Sequence, residues 1–410
     1  MKIELKRTPK RYFLDTHRAF TPTETWGEVE RLEEKVGIKK IDDLTGLDKL
    51  GLPVFSASRP GAEEGARSVH AGKGLTREQA RVSVLMEAIE RYSAEIKQGD
   101  RAKFLFEPYD SYGAKEKVEP ASLILSTLST VGPSSKLEWC EGYDILRDEE
   151  VLVPANAVFH PFVSNRGARL FRSDSNGIAS GNNLEEAIFH GITEVIERDA
   201  LSCVELKQNA GKQIEIGESD GRLFELRERF EAAGIVPHFW YIPSDTGFTT
   251  VALALDDAET KDASLLVYGA GTHSDPRIAT IRAVTEAAQS RVLQIASAAA
   301  SRRGRATRRE GEGRMSYEEM KRRNRHWFED GGGREGECVR LSELPNLATD
   351  RIDGDIEVAL ERLRRVARRV VVVDLTRQEI GVPVVRVVIP GFEVFARNPE
   401  RVGTRHKRHN

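Results

Sequence analysis

Two stretches of the chain carry the same arrangement of charged residues, Glu-x-x-Glu-Arg. They are "LMEAIERYSA", where the motif spans residues 87–91, and "GITEVIERDA", where it spans residues 194–198. Glutamates three positions apart share one face of a helix, where they repel each other unless a cation lies between them. Carboxylate oxygens suit Mg2+, which commonly binds together with nucleotide phosphates, and arginine binds phosphate oxygens in a planar fork. The repeated motif therefore suggests a metal–nucleotide site.

A simpler interpretation of each motif is a solvated helix surface. Glu87 and Arg91, like Glu194 and Arg198, could form ordinary i,i+4 ion pairs. The like-charge pairs weigh against this interpretation, and so do the loops before each helix, "HAGKGLT" and "SNGIASGNN". Glycine-rich loops can cradle phosphate on their backbone N–H groups, although the first of these lacks the frame of a Walker motif.

Three helices, predicted over 76–97, 184–204 and 276–298, each present a polar stripe when their residues are placed 100° apart. The stripes consist of Ser83, Glu87, Glu90 and Arg91 on the first helix, of Asn183, Glu186, His190, Glu194, Glu197 and Arg198 on the second, and of Arg282, Glu286 and Gln289 on the third. If the stripes converge, several carboxylates and arginines meet in one place. That arrangement favours a metal–nucleotide site, but it does not specify a reaction.

Strands are predicted within "LPVFSAS", "EEVLVPANAVF", "VPHFWYIPS", "TTVALALDD", "ASLLVYGAGT", "VVVVDLT" and "VPVVRVVIPG", and a late helix at "DIEVALERLRRVARR". The first 60 residues otherwise suggest short turns. Helices and strands follow each other without the regular cadence of a doubly wound sheet, so we expect an α+β fold with mixed sheets. The charged, poorly patterned segment at about 301–337 is predicted to be a mobile loop region.

The composition excludes several classes of protein. The 410 residues include 39% apolar and 31% charged residues with a net charge of −3, which gives no argument for nucleic acid or membrane binding. No apolar run approaches the roughly 18 residues of a membrane span. The three cysteines, Cys140, Cys203 and Cys338, are far apart, so neither a disulfide framework nor a zinc site is expected, and the cytoplasm is the predicted location.

Taken together and in order, the stripe motifs resemble those of the YcaO family. Supporting stretches are "RAFTPTETW", "AGKGLTREQA", "NGIASGNNLEEAI" and "VVVVDLTRQEIGVPVVRVVIPGFE", which place the resemblance between about residue 10 and residue 393. The resemblance implies a YcaO-type ATP-binding fold with mixed sheets and long helices carrying acidic stripes. It also implies an N-terminal region over 1–75, a catalytic core over 76–393 that includes the charged loop, and a C-terminal tail over 394–410.

The resemblance further implies ATP and Mg2+ as cofactors, while the catalytic residues stay unassigned. The residues that it implies for nucleotide binding are Lys73, Ser83, Glu87, Arg91, Asn183, Glu186, Arg198, Glu286 and Gln289. The residues that it implies for metal binding are Glu87, Glu90, Glu194 and Glu197.

YcaO proteins use ATP to activate peptide backbone amides. A nucleophile adds to the carbonyl, the oxyanion takes the γ-phosphoryl group, and phosphate leaves. A neighbouring Cys, Ser or Thr side chain gives an azoline, and external sulfide gives a thioamide. The final residues, "ERVGTRHKRHN", lack the Pro-x-Pro-x-Pro tail of many azoline-forming members, and no fused leader-peptide-binding domain is recognised.

The resemblance therefore favours the stand-alone thioamidating branch. It implies a peptide or protein substrate, a sulfide donor and a TfuA-like partner, and it allows a homodimer; neither nucleic acid nor a membrane is expected as a partner. In methane-producing archaea this branch is associated with a glycine of methyl-coenzyme M reductase. Three alternatives stay open: an azoline-forming cyclodehydratase that acts on Cys, Ser or Thr, a non-catalytic nucleotide-binding scaffold, and a general nucleotide-hydrolysing enzyme.

Five further residues could serve the site or the fold. His190 lies on the second stripe, and Arg59 in "ASRPG" could contact substrate or cap a turn. Cys203 is expected to be a buried thiol. Asp374 and Arg377, which follow a predicted buried strand, are expected to be structural.

Overall fold

Helices and sheets of mixed strand direction make up the structure, a computed structural model that describes residues 2–113, 115–302, 315–329 and 338–407. The helices of the described residues are α1 (Pro22–Val29), α2 (Arg77–Ala94), α3 (Leu184–Lys207), α4 (Arg222–Ala232), α5 (Pro276–Arg302), α6 (Tyr317–Arg323), α7 (Arg325–Phe328) and α8 (Ile352–Leu363). The strands are β1 (Lys40–Asp43), β2 (Val54–Ser58), β3 (Val69–Lys73), β4 (Leu105–Pro108), β5 (Glu116–Lys117), β6 (Lys136–Asp144), β7 (Glu149–Pro154), β8 (Ile178–Ser180), β9 (Lys212–Glu215), β10 (Val236–Ile242), β11 (Thr249–Asp256), β12 (Val267–His273), β13 (Cys338–Arg340), β14 (Val371–Asp374) and β15 (Val384–Val388).

The described strands form three sheets. One is antiparallel, in the order β1-β2-β3. The second has the order β12-β11-β10-β9-β13, in which β13 runs parallel to β9. The third has the order β5-β7-β6-β14-β15-β8, with β4 also pairing with β6 and β5 parallel to β7. The prediction of an α+β fold with mixed sheets is therefore confirmed.

Each of the three striped helices packs on a sheet. Helix α2 covers β2 and β3, α5 covers β11 and β12, and α3 lies on β15 and β8. Glycine allows the closest of these approaches: a Cβ added at Gly72 would lie 2.1 Å from the Ala80 carbonyl oxygen, and one at Gly271 would lie 2.2 Å from that of Ala279. Packing of the apolar faces against sheets leaves the polar stripes available for other contacts.

The starts of α2 and α3 are fixed by side chains that accept hydrogen bonds from the first turn. Thr76 and Gln79 form a reciprocal capping box at α2. The Asn183 side chain accepts from the backbone N–H of Glu186 at α3. These caps explain why the predicted helix starts agree with the structure to within one residue.

The structure differs from the predictions at several element boundaries. Helix α3 extends to Lys207 and α5 to Arg302, beyond the predicted ends, whereas α2 ends earlier, at Ala94. The late helix α8 begins and ends earlier than predicted, at Ile352 and Leu363. Helices α1 and α4 were not predicted; α1 begins at a capping box formed by Thr21 and Glu24, within a region interpreted as turns.

Two predictions about loops were wrong in part. The glycine-rich stretches before α2 and α3 contain strands β3 and β8, whose few residues and small side chains give no strand signal. The segment at about 301–337 contains α6 and α7, in which Trp327 and Phe328 are buried. Trp240 Nε1 donates to the Trp327 carbonyl at 3.0 Å, and Trp327 Nε1 donates to Glu205 at 2.9 Å. Residues 303–314 and 330–337 of that segment lie outside the described residues.

None of the described helices combines the length and the apolar character that crossing a membrane requires.

Candidate nucleotide and metal site

The three stripes converge on one cavity of about 1090 Å³. The cavity is lined by the predicted residues Lys73, Ser83, Glu87, Glu90, Arg91, Glu186, Glu194, Glu197, Arg198, Glu286 and Gln289. Asn183 does not line it, because its side chain caps α3; the neighbouring Asn182 does. Residues that lie far apart in the chain therefore share one polar enclosure.

Glu286 on α5 joins the charges of the cavity walls. Its carboxylate lies 2.9 Å from Lys73 Nζ on β3 and 3.7 Å from Arg198 Nη2 on α3. Burial opposes ionisation of Glu286, but the charges of Lys73 and Arg198 outweigh it and lower its pKa to about 2. Glu286 is therefore a fixed negative charge between two cations.

The two Glu-x-x-Glu-Arg motifs are paired differently. On α2, Glu87 lies 3.6 Å from Arg91, as an ordinary i,i+4 pair would. On α3, Arg198 lies 3.3 Å from Glu197 and also reaches Glu286 on another helix. An i,i+4 ion pair, as a solvated helix surface would form, therefore occurs in the first motif, whereas the arginine of the second motif pairs with Glu197 and Glu286 instead.

The inner glutamates, Glu90 and Glu197, are buried and held by the backbone of neighbouring strands. Glu90 accepts from the backbone N–H of Ser180 at 3.1 Å and from its hydroxyl at 2.9 Å. Glu197 accepts from the N–H of Thr272 at 3.0 Å. Burial raises the pKa of both, and that of Glu90 to about 7, with the charges of nearby glutamates adding to the effect. A cation would remove this cost by stabilising the charged forms.

Three arginines in the cavity have N–H groups that the protein does not satisfy. Arg91 Nη1, Arg198 Nε and Arg282 Nε are buried and have no hydrogen-bond partner among the described residues. A buried guanidinium donor without a partner is costly, and an anion with several oxygens would satisfy it. The arginines therefore fit the phosphate groups of a nucleotide.

The carboxylates fit Mg2+ only in combination with such an anion. Within the described ranges, no group of three or more His, Cys, Asp or Glu side chains lies close enough to hold a metal ion by itself. Mg2+ generally keeps few protein carboxylates and completes its octahedron with phosphate oxygens and water. The donor set is therefore that of a metal–nucleotide complex and not of a metal cage built by protein alone.

Glu186 already has several protein partners. Its two oxygens accept from Ala19 N at 2.7 Å, from Asn182 N at 3.0 Å and from Asn182 Nδ2 at 2.8 Å. It thereby fastens the segment around Ala19 to α3. A nucleotide contact by Glu186 or Asn183 stays a prediction.

Sequence reasoning missed two segments that contribute to the cavity. Residues 15, 16 and 18 from the N-terminal region line it, as do residues 397–400 near the C-terminus. Directly before the latter segment, Ala396 N donates to Ser202 Oγ on α3 at 3.0 Å. After the segment, Arg405 pairs with Asp199 at 2.9 Å and with Asp245 at 2.6 Å. Neither segment has a periodic pattern that could have indicated its position.

His190 also lines the cavity, and its Nε2 accepts from Arg282 Nη2 at 3.2 Å. Burial, followed by the positive charge of Arg282, lowers the pKa of His190 well below its ordinary value. The imidazole is therefore neutral near pH 7, which it must be to accept at Nε2. His190 positions Arg282, whose Nε is one of the unpaired donors.

The remaining candidates that the structure describes in detail have contacts within the fold. Arg59 is buried and paired with Glu95, and Cys203 is buried as predicted. Arg377 donates to Asp100 at 2.8 Å and to the Ser93 carbonyl at 3.1 Å. These bonds connect the end of α2 to the loop that follows β14, which ends at Asp374.

Comparison with known proteins agrees with this geometry. The family model described as "YcaO cyclodehydratase, ATP- and Mg2+-binding" matches residues 71–393. An uncharacterised protein of Methanothermobacter thermautotrophicus is 46% identical over 391 residues, covering 95% of this chain and 98% of that protein. An uncharacterised protein from the tfuA 3′ region of Rhizobium leguminosarum bv. trifolii is 30% identical over 407 residues, covering 92% and 89%.

The chain is also similar to the solved structure of YcaO from Methanopyrus kandleri bound with AMPPCP and Mg2+. The two share 32% sequence identity with a TM-score of 0.77, and the match covers 97% of this chain and 98% of that one. The resemblance of the stripe motifs and the expected fold are thereby confirmed. The chain belongs to the YcaO family of ATP- and Mg2+-binding cyclodehydratase-like proteins.

Proposed function

We propose that this protein uses Mg2+–ATP to activate a peptide backbone amide, which sulfide then converts into a thioamide. The observation that carries the first half is the set of three buried, unpaired arginine donors beside four stripe glutamates in one cavity. The family description and the AMPPCP complex of the Methanopyrus kandleri relative support the choice of nucleotide.

The chain's own residues have separate roles in this proposal. Arg91, Arg198 and Arg282 hold phosphate oxygens, and His190 orients the last of them. The stripe carboxylates Glu87, Glu90, Glu194 and Glu197, which line the same cavity, would bind the metal. When bound, Mg2+–ATP supplies the phosphoryl group that turns a poorly leaving amide oxygen into phosphate. Overall, amide, hydrogen sulfide and ATP give thioamide, ADP and phosphate.

Sulfur must come from outside the chain. Cys140 and Cys203 are buried, and burial raises the pKa of each thiol to about 12. Cys338 lies on the exposed strand β13, and no described cysteine lines the cavity. A nucleophilic sulfur relay needs accessible thiolates, so free sulfide or a separate donor protein is required.

Two relatives favour the thioamide over the azoline. One comes from a methanogen, and the other is encoded beside tfuA. A TfuA-like protein is therefore the proposed partner, and a glycine of methyl-coenzyme M reductase is a candidate target. Action in the cytoplasm, as a homodimer, is compatible with this proposal.

The family description favours a second function, azoline formation from a Cys, Ser or Thr side chain. Mass spectrometry separates the two. The enzyme is incubated with Mg2+–ATP and a glycine peptide that lacks Cys, Ser and Thr, with and without sulfide and with and without a TfuA-like protein. We expect a mass gain equal to the difference between sulfur and oxygen, dependent on ATP and sulfide. Loss of one water from a Cys-containing peptide without sulfide would establish the cyclodehydratase instead. Nucleotide binding without turnover in every mixture would indicate a scaffold.

A further inference from the structure

Strand β3 has a hydrogen-bonding edge that β2 does not cover. It is the last strand of its sheet, in the order β1-β2-β3. In an antiparallel pair, opposite residues alternate between those that bond across the pair and those whose N–H and C=O point away from it. Ser58 lies opposite Val69, and the Ser58 carbonyl accepts from Lys39 N at 2.9 Å on the β1 side. The backbone groups of Val69 therefore point towards the free edge.

The same alternation turns Ala71 and Lys73 towards the free edge. The Ala71 N–H donates to Glu87 Oε2 at 3.1 Å, in agreement with this direction. Among the residues that the structure describes, none pairs with the N–H groups of Val69 and Lys73 or with the carbonyls of Val69 and Ala71. Open edge groups of this kind bind further strands unless a protein covers or blunts them.

This edge opens into the cavity that holds the three stripes. Residues 65–67, 69–71 and 73–74 all line that cavity. The face of β3 at Gly72 is closed by α2, so access comes from the edge and the opposite face. Val69 as a whole residue is 56% exposed, which leaves the start of the strand open to solvent.

We infer that an extended segment of the peptide substrate binds by adding a strand to the free edge of β3. This inference rests on the proposed function for the identity of the occupant, since a backbone amide is the reacting group. Strand addition recognises main-chain groups, and alternate side chains then select among sequences. The bond from Ala71 N–H to Glu87 ties the edge to a stripe carboxylate. A peptide on this edge therefore presents its backbone, and not a side chain, to the stripes.

The test distinguishes the contribution of the Val69 backbone N–H to peptide binding from that of the Val69 side chain. Val69→Pro removes the free-edge N–H and leaves the β2 ladder intact, and proline is tolerated at such edge positions. Val69→Thr keeps the N–H on another β-branched residue and is the matched control. The probe is a fluorescent pool of short glycine-centred peptides without Cys, Ser or Thr, measured by anisotropy in the presence of Mg2+–AMPPCP. AMPPCP affinity and the thermal midpoint are measured for both variants.

We expect Val69→Pro to bind the pool about tenfold more weakly than Val69→Thr. This is the effect of losing about one hydrogen bond to the peptide and of misaligning the hydrogen bond next to it. AMPPCP affinity should be equal in the two variants. A pool N-methylated on every backbone nitrogen should not bind the unaltered protein, which tests the inference without any mutation. Equal pool binding by both variants, binding of the N-methylated pool, or no pool binding to the unaltered protein would overturn it.

Two further outcomes distinguish strand addition from a nucleotide contact at the edge and from the proposed chemistry. A fall in AMPPCP affinity in Val69→Pro, with pool binding unchanged, would assign the edge to the nucleotide and refute strand addition. The peptide pool could also bind in a way that depends on the Val69 N–H and yet gain no sulfur when sulfide is present. That result would support strand addition at the edge and refute the proposed thioamidation.

Discussion

Glu286 Oε2 lies 2.9 Å from Lys73 Nζ, and this ion pair connects the end of β3 to the middle of α5. The other carboxylate oxygen lies 3.7 Å from Arg198 Nη2 on α3. One carboxylate thus holds three elements of the cavity wall together. The contact makes Glu286 a determinant of stability as well as of the site.

Glu286→Gln removes this shared charge and leaves Lys73 and Arg198 without their anion. We expect the free energy of unfolding at pH 7 to fall by about 1–3 kcal/mol, since the group is partly buried. The pKa of Glu286 is lowered from 4.5 to about 2 in the folded protein, so its contribution is complete above pH 4.5 and is lost as the pH falls to about 2. Urea denaturation of both proteins should therefore show a stability difference that shrinks over this interval, and a constant difference would contradict the assignment.

Glu194→Gln tests whether the stripe carboxylates bind the metal. Glu194 lines the cavity, and its negative charge acts on Glu90 and Arg91. We expect Mg2+–ATP affinity, measured by calorimetry, to fall by at least about tenfold because a hard anionic ligand is lost. The thermal midpoint without nucleotide should stay nearly unchanged. Glu78→Gln, at the exposed start of α2, is the control and should bind normally; unchanged ATP affinity in Glu194→Gln would show that the stripe is not a metal site.

Arg198→Lys tests the phosphate role of the unpaired Nε. Lysine keeps the charge but loses the planar fork, so ATP affinity should fall by about tenfold or more if Arg198 binds phosphate. Arg227 on α4 offers a matched control because its Nε is likewise buried without a hydrogen-bond partner among the described residues, yet it does not line the cavity. Arg227→Lys should leave ATP affinity unaltered. Full affinity in Arg198→Lys would show that Arg198 serves only in its ion pairs with Glu197 and Glu286 and does not bind phosphate.

His190 should act as a neutral acceptor that positions Arg282. Gln can accept at a similar distance and Leu cannot, so His190→Gln should retain ATP affinity better than His190→Leu. The pKa of His190 is lowered below 6.5 on folding, so protonation of the unfolded chain reduces stability as the pH falls below 6.5. Urea titrations should show that the free energy of unfolding of His190→Gln, minus that of the unaltered protein, increases as the pH is lowered from 7 to 5. A loss over that range would mean that the folded imidazole is charged.

The sequence was sufficient to predict the polar stripes because helical periodicity decides which residues share a face. Glu87 and Glu90, and Glu194 and Glu197, follow from that rule alone. The choice of Glu286 as a partner of Arg198 does not, since it depends on how α3 and α5 pack. Strand β3 could not be predicted from the sequence for another reason. It is five residues long, contains Gly72, and is stabilised by pairing with β2. The cavity residues near the chain ends depend on long-range anchors such as Glu186 and Asp199, which no local pattern contains.

Those two anchors have a consequence for how the protein is made. Glu186 on α3 binds the segment around Ala19, and Asp199 on the same helix binds Arg405. The helix that carries Glu194 and Glu197 thus has one contact with a segment that precedes it by more than 160 residues and another with a segment about 200 residues after it. During synthesis, the early contact can form once α3 has emerged, but the late one must wait for Arg405. Nucleotide binding should therefore begin only after the segment that carries Arg405 has left the ribosome.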